Sequence, residues 1–373
     1  MRIARFRSSL DADDGGIFTA VIASSAALAD EHDIAIAARR IAGDPAGLHT
    51  RSRARIVALP ASLAGRLRAT NRLVAAADLV TLEGPWDPWN PLTAATCVAR
   101  RTPYLCVAHG SWSHFVKDRY PAKHLKKLLW WGLVEHWVVR GGAGIWWTTE
   151  REKRSSIGTF PGIPDRDPVV ELATEDLRGK RDTASHDPGV LQLVTLTRIH
   201  PLKRLDDLVR AVAGLAAAPY GLRVHLSIVG DGPPEVIAGL TALAADLGVA
   251  DRITWTGPLW GDARIAPLAA ADVYVCPGPE SFGMAVAEAL SANLPVVVSD
   301  EVALAGEIEE AGAGAVFRYA DVPDLTAALA RVAAAVADPG YETAPRQLWE
   351  RRFSPEAFRR RVRESGLLAA GVR

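Results

Sequence analysis

Two acidic residues, Glu280 and Glu288, bracket the run Glu280-Ser281-Phe282-Gly283-Met284-Ala285-Val286-Ala287-Glu288. An apolar segment of strand length, VYVCPG, precedes it, and Glu288 falls within a helical pattern. A helix opening at Ser281–Met284 leaves several backbone N–H groups without intrahelical partners, which makes an anion site. At about 1.5 Å rise per residue, the two carboxylates stand on the order of 8–10 Å apart along the axis, the reach of a diphosphate. Carboxylates accept from hydroxyls while the N–H groups hold phosphate, so a nucleoside diphosphate-sugar is an economical ligand. An ordinary strand–turn–helix, with Glu280 in solvent and Glu288 in a salt bridge, fits the same spacing.

A second cluster, Thr195-Leu196-Thr197-Arg198-Ile199-His200-Pro201-Leu202-Lys203-Arg204, closes an earlier apolar run. Arg198 and Lys203 share one strand-to-helix loop, where two cations can meet a diphosphate held by the other loop. Fixed cations and a helix start stabilise the charge of a departing diphosphate, taking the place of a metal, and no metal ligand is assigned. A solvated basic loop is the plain alternative.

The first half offers weaker signals. Asp13-Asp14-Gly15-Gly16-Ile17 follows the first apolar run, and paired glycines permit close backbone approach to a ligand. Cys106-Val107-Ala108-His109-Gly110 ends another, and His109 is placed to donate to a hydroxyl or assist proton movement. A plain turn and a structural histidine are the alternatives. Eight of the eleven Trp lie in residues 86–147, and Trp86 and Trp112 are candidates for stacking on a sugar ring, though Trp more often packs in cores. Lys117, Arg119, Lys123, Lys126 and Lys127 precede LLWWGLVEHWVV. Residues 117–139 therefore read either as a peripheral contact with an anionic membrane or as a buried stripe formed by Leu125, Leu128, Leu129 and Trp137.

The elements that must position these residues follow from periodicity. After Leu191, strand-length apolar runs LQLVTLT, VHLSIVG, ITWTG, VYVCPG, PVVVSD and AVFRY alternate with helical segments. Strands apolar on both faces imply a parallel sheet covered by helices on both sides. In the first half IARFR, DIAIAAR, ARIVALP, LVTLEG, YLCVAHG and GIWWTT alternate with helical candidates near 16–30, 62–78, 91–101 and 123–140. The expectation is an α/β protein of two Rossmann-like domains with parallel sheets facing across a cleft: residues 1–170, a polar linker at 171–189, and residues 190–353. A terminal helix within 354–373, capped at Ser354, is expected to pack back on the first domain.

Composition sets outer bounds. Lys plus Arg and Asp plus Glu are each 43 in 373 residues, so no global field draws the chain to nucleic acid. Cys97, Cys106 and Cys276 lack disulfide or zinc spacing and suit a reducing cytoplasm. No apolar run has signal-peptide or membrane-spanning length, so a cytoplasmic protein, at most resting on the inner face of the membrane, is expected.

The two strand-end loops of the second half resemble the donor-binding loops of family four retaining glycosyltransferases of the GT-B fold. An acid, seven residues and a second acid occur at one loop, and an Arg and a Lys five apart at the other. Val229-Gly230-Asp231-Gly232-Pro233 resembles that family's glycine turn, and Thr256-Gly257-Pro258-Leu259 its nucleobase-contacting strand end. Thr197 stands where the family usually has Gly, and Ala292-Asn293-Leu294 replaces a more usual small, Cys or Gly-rich run. The resemblance covers most of 191–320. It implies Arg198 and Lys203 as a diphosphate clamp, Glu280 as a ligand of donor-sugar hydroxyls, and backbone contacts from Gly230, Ser281, Phe282, Gly283 and Met284. Glu288 would take the ribose, Leu259 the base, Gly15 and Gly16 phosphate and acceptor, and His109 a sugar hydroxyl. The implied activity is retaining, metal-independent hexosyl transfer without a cofactor, from a nucleoside diphosphate-sugar to a glycan or lipid-linked glycan, as in bacterial surface-polysaccharide synthesis. A nucleotide-sugar epimerase of this architecture and a catalytically idle nucleotide- or glycan-binding protein are the alternatives. A nicotinamide dehydrogenase stands behind them, because no G-x-G-x-x-G follows the first strand.

Overall fold

The computed structural model describes residues 1–114, 117, 121–165, 167–177, 189–259, 261–336 and 344–372. The chain forms two compact units, Met1–Ala173 with Pro355–Arg373, and Thr174–Ser354.

The first unit is built on β1 (Arg2–Leu10), β2 (Asp33–Ile41), β3 (Arg55–Ala58), β4 (Leu79–Glu83), β5 (Tyr104–Val107) and β6 (Gly144–Trp146), in the order β3-β2-β1-β4-β5-β6. Every pairing is parallel. The short strands β4, β5 and β6 are buried along their whole length, as a sheet covered on both faces requires. The helix Pro355–Ser365 packs on Gly16–Leu28, with Arg359 bonded to Asp30 at 2.6 Å and Phe358 stacked on Trp146 at 5.8 Å.

The second unit repeats the plan with β7 (Leu191–Leu196), β8 (Val224–Val229), β9 (Ile253–Gly257), β10 (Val273–Cys276), β11 (Val296–Ser299) and β12 (Gly314–Phe317), ordered β12-β11-β10-β7-β8-β9. The Val-rich β10 and β11 are wholly buried. In both sheets the strand order reverses beside the first strand, between β1 and β4 and between β7 and β10. Loops leaving the carboxyl ends of such a pair diverge to opposite faces and open a crevice, the usual ligand position in a doubly wound sheet.

All twelve sequence-derived strand segments are strands. Within the expected linker at 171–189, where the division between the two units falls after Ala173, Leu172, Ala173 and Leu177 are buried, and the Leu177 N–H donates to Ser291 Oγ at 3.1 Å. A run of polar residues hides these spaced apolar anchors from a reading by composition. Residues 178–188 lie outside the described residues.

Candidate active site

In the second unit the loops after β7 and β10 come together. Lys203 ends a 3₁₀ turn, Pro201–Lys203, which His200 caps by accepting the Leu202 N–H at Nδ1, 3.2 Å. Lys203 Nζ donates to Pro279 O at 3.0 Å and to Glu280 Oε1 at 2.5 Å. An ammonium has three donors, so one is left for a ligand. Arg198 is exposed, with no hydrogen-bond or ion-pair partner among the described residues. Burial, then the charges of Arg198 and Lys203, lower the His200 pKa from its ordinary value, the mark of a locally positive loop.

Glycines fix this approach. A Cβ on Gly278 would lie 2.6 Å from Lys203 Cα, one on Gly230 1.8 Å from Thr197 O, and one on Gly232 2.0 Å from Ile199 O. The Thr197 and Ile199 N–H groups donate to Val229 O and Asp231 O at 3.0 and 2.7 Å. Gly230 thus acts as a spacer holding the Arg198 loop against the end of β8.

Glu280 pairs its backbone with the segment after β11, donating to Glu301 O at 3.3 Å and accepting from Ala303 at 2.9 Å. Gly283, at φ 100°, turns the chain into the helix Met284–Ser291. The first backbone bond of this helix is Ala287 N–H to Gly283 O, 3.0 Å, so the N–H groups of Met284, Ala285 and Val286 have no carbonyl within it. Phe282 is buried edge-on against Phe353 at 5.8 Å, which anchors the loop while its backbone runs past the site. Ser281 and Leu259 are half-buried. Asn293 has φ 62°, a left-handed conformation that asparagine tolerates better than most residues, so it fills a place where glycine is common.

Glu288 is buried, and Arg264 Nη1 donates to both its carboxylate oxygens at 2.7 and 2.6 Å. Arg264 has no distinguishing signal in the sequence. The proposed ribose ligand is therefore already half of an ion pair, with lone pairs remaining for a hydroxyl.

In the first unit, His109 follows β5 at φ 46°. Its ring is tied to Glu83 at the end of β4, with Nε2 and Oε2 2.8 Å apart. Glu83 Oε1 accepts from Arg5 Nε at 2.8 Å and Thr81 Oγ1 at 2.6 Å. Arg5 also donates to Ser24 Oγ and Ser25 Oγ at 2.8 and 2.9 Å. Burial alone would raise the Glu83 pKa, but Arg5 and His109 outweigh it and hold the carboxyl well below its ordinary range. An ionised Glu83 only accepts, so His109 Nε2 carries the proton, and Nδ1 is the ring nitrogen without a partner among the described residues. Glu152 fixes the next residue: it accepts the Gly110 N–H, and its other oxygen takes Thr148 N–H and Oγ1 at 2.8 and 2.6 Å. The Thr149-x-x-Glu152 capping-box spacing was a readable sign of this helix start.

Gly15, at φ 60°, joins a 3₁₀ turn at Ala12–Asp14 to the helix beginning at Gly16, and a Cβ there would meet nothing within 4 Å. Arg7 pairs with Asp14 at 3.1 Å and Arg40 with Asp11 at 3.2 Å, so these two acids at the turn are paired from within the unit.

Two aromatic expectations are corrected. Trp112 is completely buried, edge-on to Trp131 at 5.7 Å and Trp147 at 5.8 Å, and is a core residue. Trp86 is half-buried, packed on Phe160 at 5.4 Å with Lys127 Nζ 4.7 Å from its ring centre, so it is not an open platform. Burial, then Lys123, brings the Lys127 ammonium down to about 8. The buried-stripe reading fails for Leu125, Leu129 and Trp137, which are exposed, while Leu128 packs against the core. Arg119 lies outside the described residues.

Residues 191–335 match the family described as Glycosyl transferases group 1. A D-inositol 3-phosphate glycosyltransferase of Thermomonospora curvata is 31% identical over 219 residues, 54% of this chain and 51% of that protein. One of Streptomyces griseus is 38% identical over 168 residues, 39% of this chain and 35% of that protein. The chain spans about half the length, or less, of the curated relatives it matches. Among solved structures, Anabaena HepE in complex with UDP and glucose superposes with a TM-score of 0.76 at 16% identity, covering 98% of this chain and 99% of that one. Sucrose-phosphate synthase from Thermosynechococcus elongatus gives 0.74 at 18% identity, covering 99% and 100%. The chain thus has the two-sheet GT-B architecture, and residues 191–335 of its second unit are similar to the group 1 glycosyltransferases.

Proposed function

We propose that the protein is a retaining, metal-independent glycosyltransferase that moves a hexosyl group from a nucleoside diphosphate-sugar to a hydroxyl of a glycan or lipid-linked glycan. The observation that carries this reading is the meeting of Lys203 with Glu280 at the β7/β10 switch, on the loop that leads into the helix Met284–Ser291. One ammonium donor, the exposed Arg198 and the N–H groups at the helix start all suit a diphosphate. As the sugar–phosphate bond breaks, negative charge grows on the leaving phosphate, and these groups stabilise it without rearranging. Glu280 holds Lys203 and orients donor hydroxyls; it is not a nucleophile. The leaving phosphate takes the acceptor proton on the same face of the sugar, so the anomeric configuration is kept. HepE was solved with UDP and glucose, which makes a uridine diphosphate-sugar the first donor to test. The inositol phosphate glycosyltransferase names of the relatives add D-inositol 3-phosphate to the acceptor screen beside glycans. A cytoplasmic site of action suits a nucleotide-sugar enzyme with three free, buried cysteines.

Turnover with a UDP-sugar and an acceptor, followed by the anomeric configuration of the product, tests the reading. Lys203→Ala should lower kcat/KM about 100-fold or more, with the fold intact by circular dichroism. EDTA should leave turnover unchanged. Full activity in Lys203→Ala, or loss of activity to the chelator, refutes the clamp; product formed without acceptor identifies an epimerase or a hydrolase.

A further inference from the structure

Away from the strand ends, the first unit carries a helical run, Pro121–Trp130 continuing through a wider π turn, Trp131–Glu135, into His136–Gly141. Its inner face is accounted for: His124, Trp131, Glu135, Val138 and Val139 are buried, and Leu128 packs on the core. Its outer face is not what water selects. Leu125, Leu129, Leu133 and Trp137, each four residues from the next, are 69%, 65%, 69% and 65% exposed. A surface helix normally turns polar residues outward. Four large apolar side chains in one row make a patch of the size, a few hundred Å², at which soluble monomers mark an interaction site.

Among the described residues of this run, the exposed charges have one sign. Lys123, Lys126 and Arg140 are exposed on the same run. The only acid between residues 121 and 149 is Glu135, and it is buried, accepting from Trp130 Nε1 at 3.1 Å. The neighbouring helix Asn90–Arg100 contains no acid and adds Val98, 61% exposed, and Arg100. No helix among the described residues is long and apolar enough to cross a membrane. With its inner face packed into the unit, this one can only lie on a surface.

We propose that the ridge Leu125–Leu129–Leu133–Trp137 docks on an anionic lipid bilayer. The leucines and the indole enter the boundary between headgroups and acyl chains, while Lys123, Lys126 and Arg140 meet lipid phosphates. Charge decides among occupants: a second copy of the same ridge would oppose cation to cation, whereas an anionic bilayer answers both the apolar row and its basic margin. Docking does not depend on the proposed sugar transfer, and its readout is binding, so either can fail alone.

The test is flotation of the 373-residue chain with vesicles of phosphatidylcholine alone or mixed with phosphatidylglycerol. Binding to the mixed vesicles, weaker on phosphatidylcholine and weakened by salt, is expected. Leu129→Ser/Leu133→Ser should lose about 10-fold or more of that binding, and Lys123→Glu/Lys126→Glu should lose the preference for anionic lipid. All four side chains are exposed, so both variants should keep the wild-type melting temperature. Absence of the wild type from floated mixed vesicles at low salt, or undiminished binding by the leucine variant, overturns the proposal. So does a wild-type dimer in sedimentation that becomes monomeric in the leucine variant, which assigns the ridge to a second copy.

Discussion

Replacing Glu83 with Gln keeps the shape of the side chain and removes its charge, which isolates the buried cation it serves. The Arg5 and Glu83 side chains are 1% and 0% exposed, so the guanidinium has no route to water when its counter-ion goes. Breaking a buried pair from one side costs about 3–5 kcal/mol. In a unit of roughly this size each kcal/mol moves the midpoint by about 2–4 °C, so its melting should fall on the order of 10 °C. Arg5→Met added to Glu83→Gln removes the orphaned charge, and the double variant should melt above Glu83→Gln alone. The pH dependence follows in sign. The folded Glu83 pKa lies below its ordinary value of 4.5, so its contribution to stability is complete above that pH and declines as the pH falls beneath it. The gap between wild type and Glu83→Gln should therefore narrow on acidification below pH 4.5. Differential scanning calorimetry across that range measures both effects. A Glu83→Gln protein as stable as wild type at neutral pH, or losses from the Arg5 and Glu83 substitutions that simply add, would refute the reasoning.

Two further substitutions probe how glycines shape the loops, and a third probes the second buried pair. Gly230→Ala sets a methyl 1.8 Å from Thr197 O at φ 151°, so the β7 loop must move; UDP affinity measured by calorimetry should fall about 10-fold or more, and unchanged affinity would separate Gly230 from the positioning of Arg198. Gly15→Ala, with open space around the new methyl, should cost only the backbone strain of holding a non-glycine residue at φ 60°, ψ −128°, about 1–3 kcal/mol in denaturant unfolding. Arg264→Leu leaves the Glu288 carboxylate buried and unpaired, at about 3–5 kcal/mol in the same assay, and adding Glu288→Leu should recover most of that loss.

The Arg5–Glu83–His109 and Arg264–Glu288 groupings show where sequence reasoning reaches and where it stops. Lys203 and Glu280 were legible because each stands at the end of an apolar run, and a doubly wound sheet brings the loops of its reversal point together whatever their composition. Locating strands along the chain needs only the alternation of apolar runs and helices, which is why twelve strands could be placed. Side-chain partnership is set by angles that periodicity does not encode. Arg264 lies 24 residues before Glu288 on a different element, and nothing local distinguishes it from a solvated arginine. Glu83 and Arg5 left a fainter trace, as charged residues within runs that alternation makes strands. A charge in such a run must either reach the strand end or find a buried partner, and the two together satisfy that condition across the β1/β4 pair. Tryptophan misled for the same reason in reverse. Its clustering in residues 86–147 reflects one aromatic core around Trp112, Trp131 and Trp147, whereas the side chain that reaches solvent, Trp137, sits on a helix whose apolar positions exceed what one buried face can absorb. Counting apolar positions around the whole circumference of that helix, rather than testing them against a single stripe, separates its inner face from its outer one by periodicity alone.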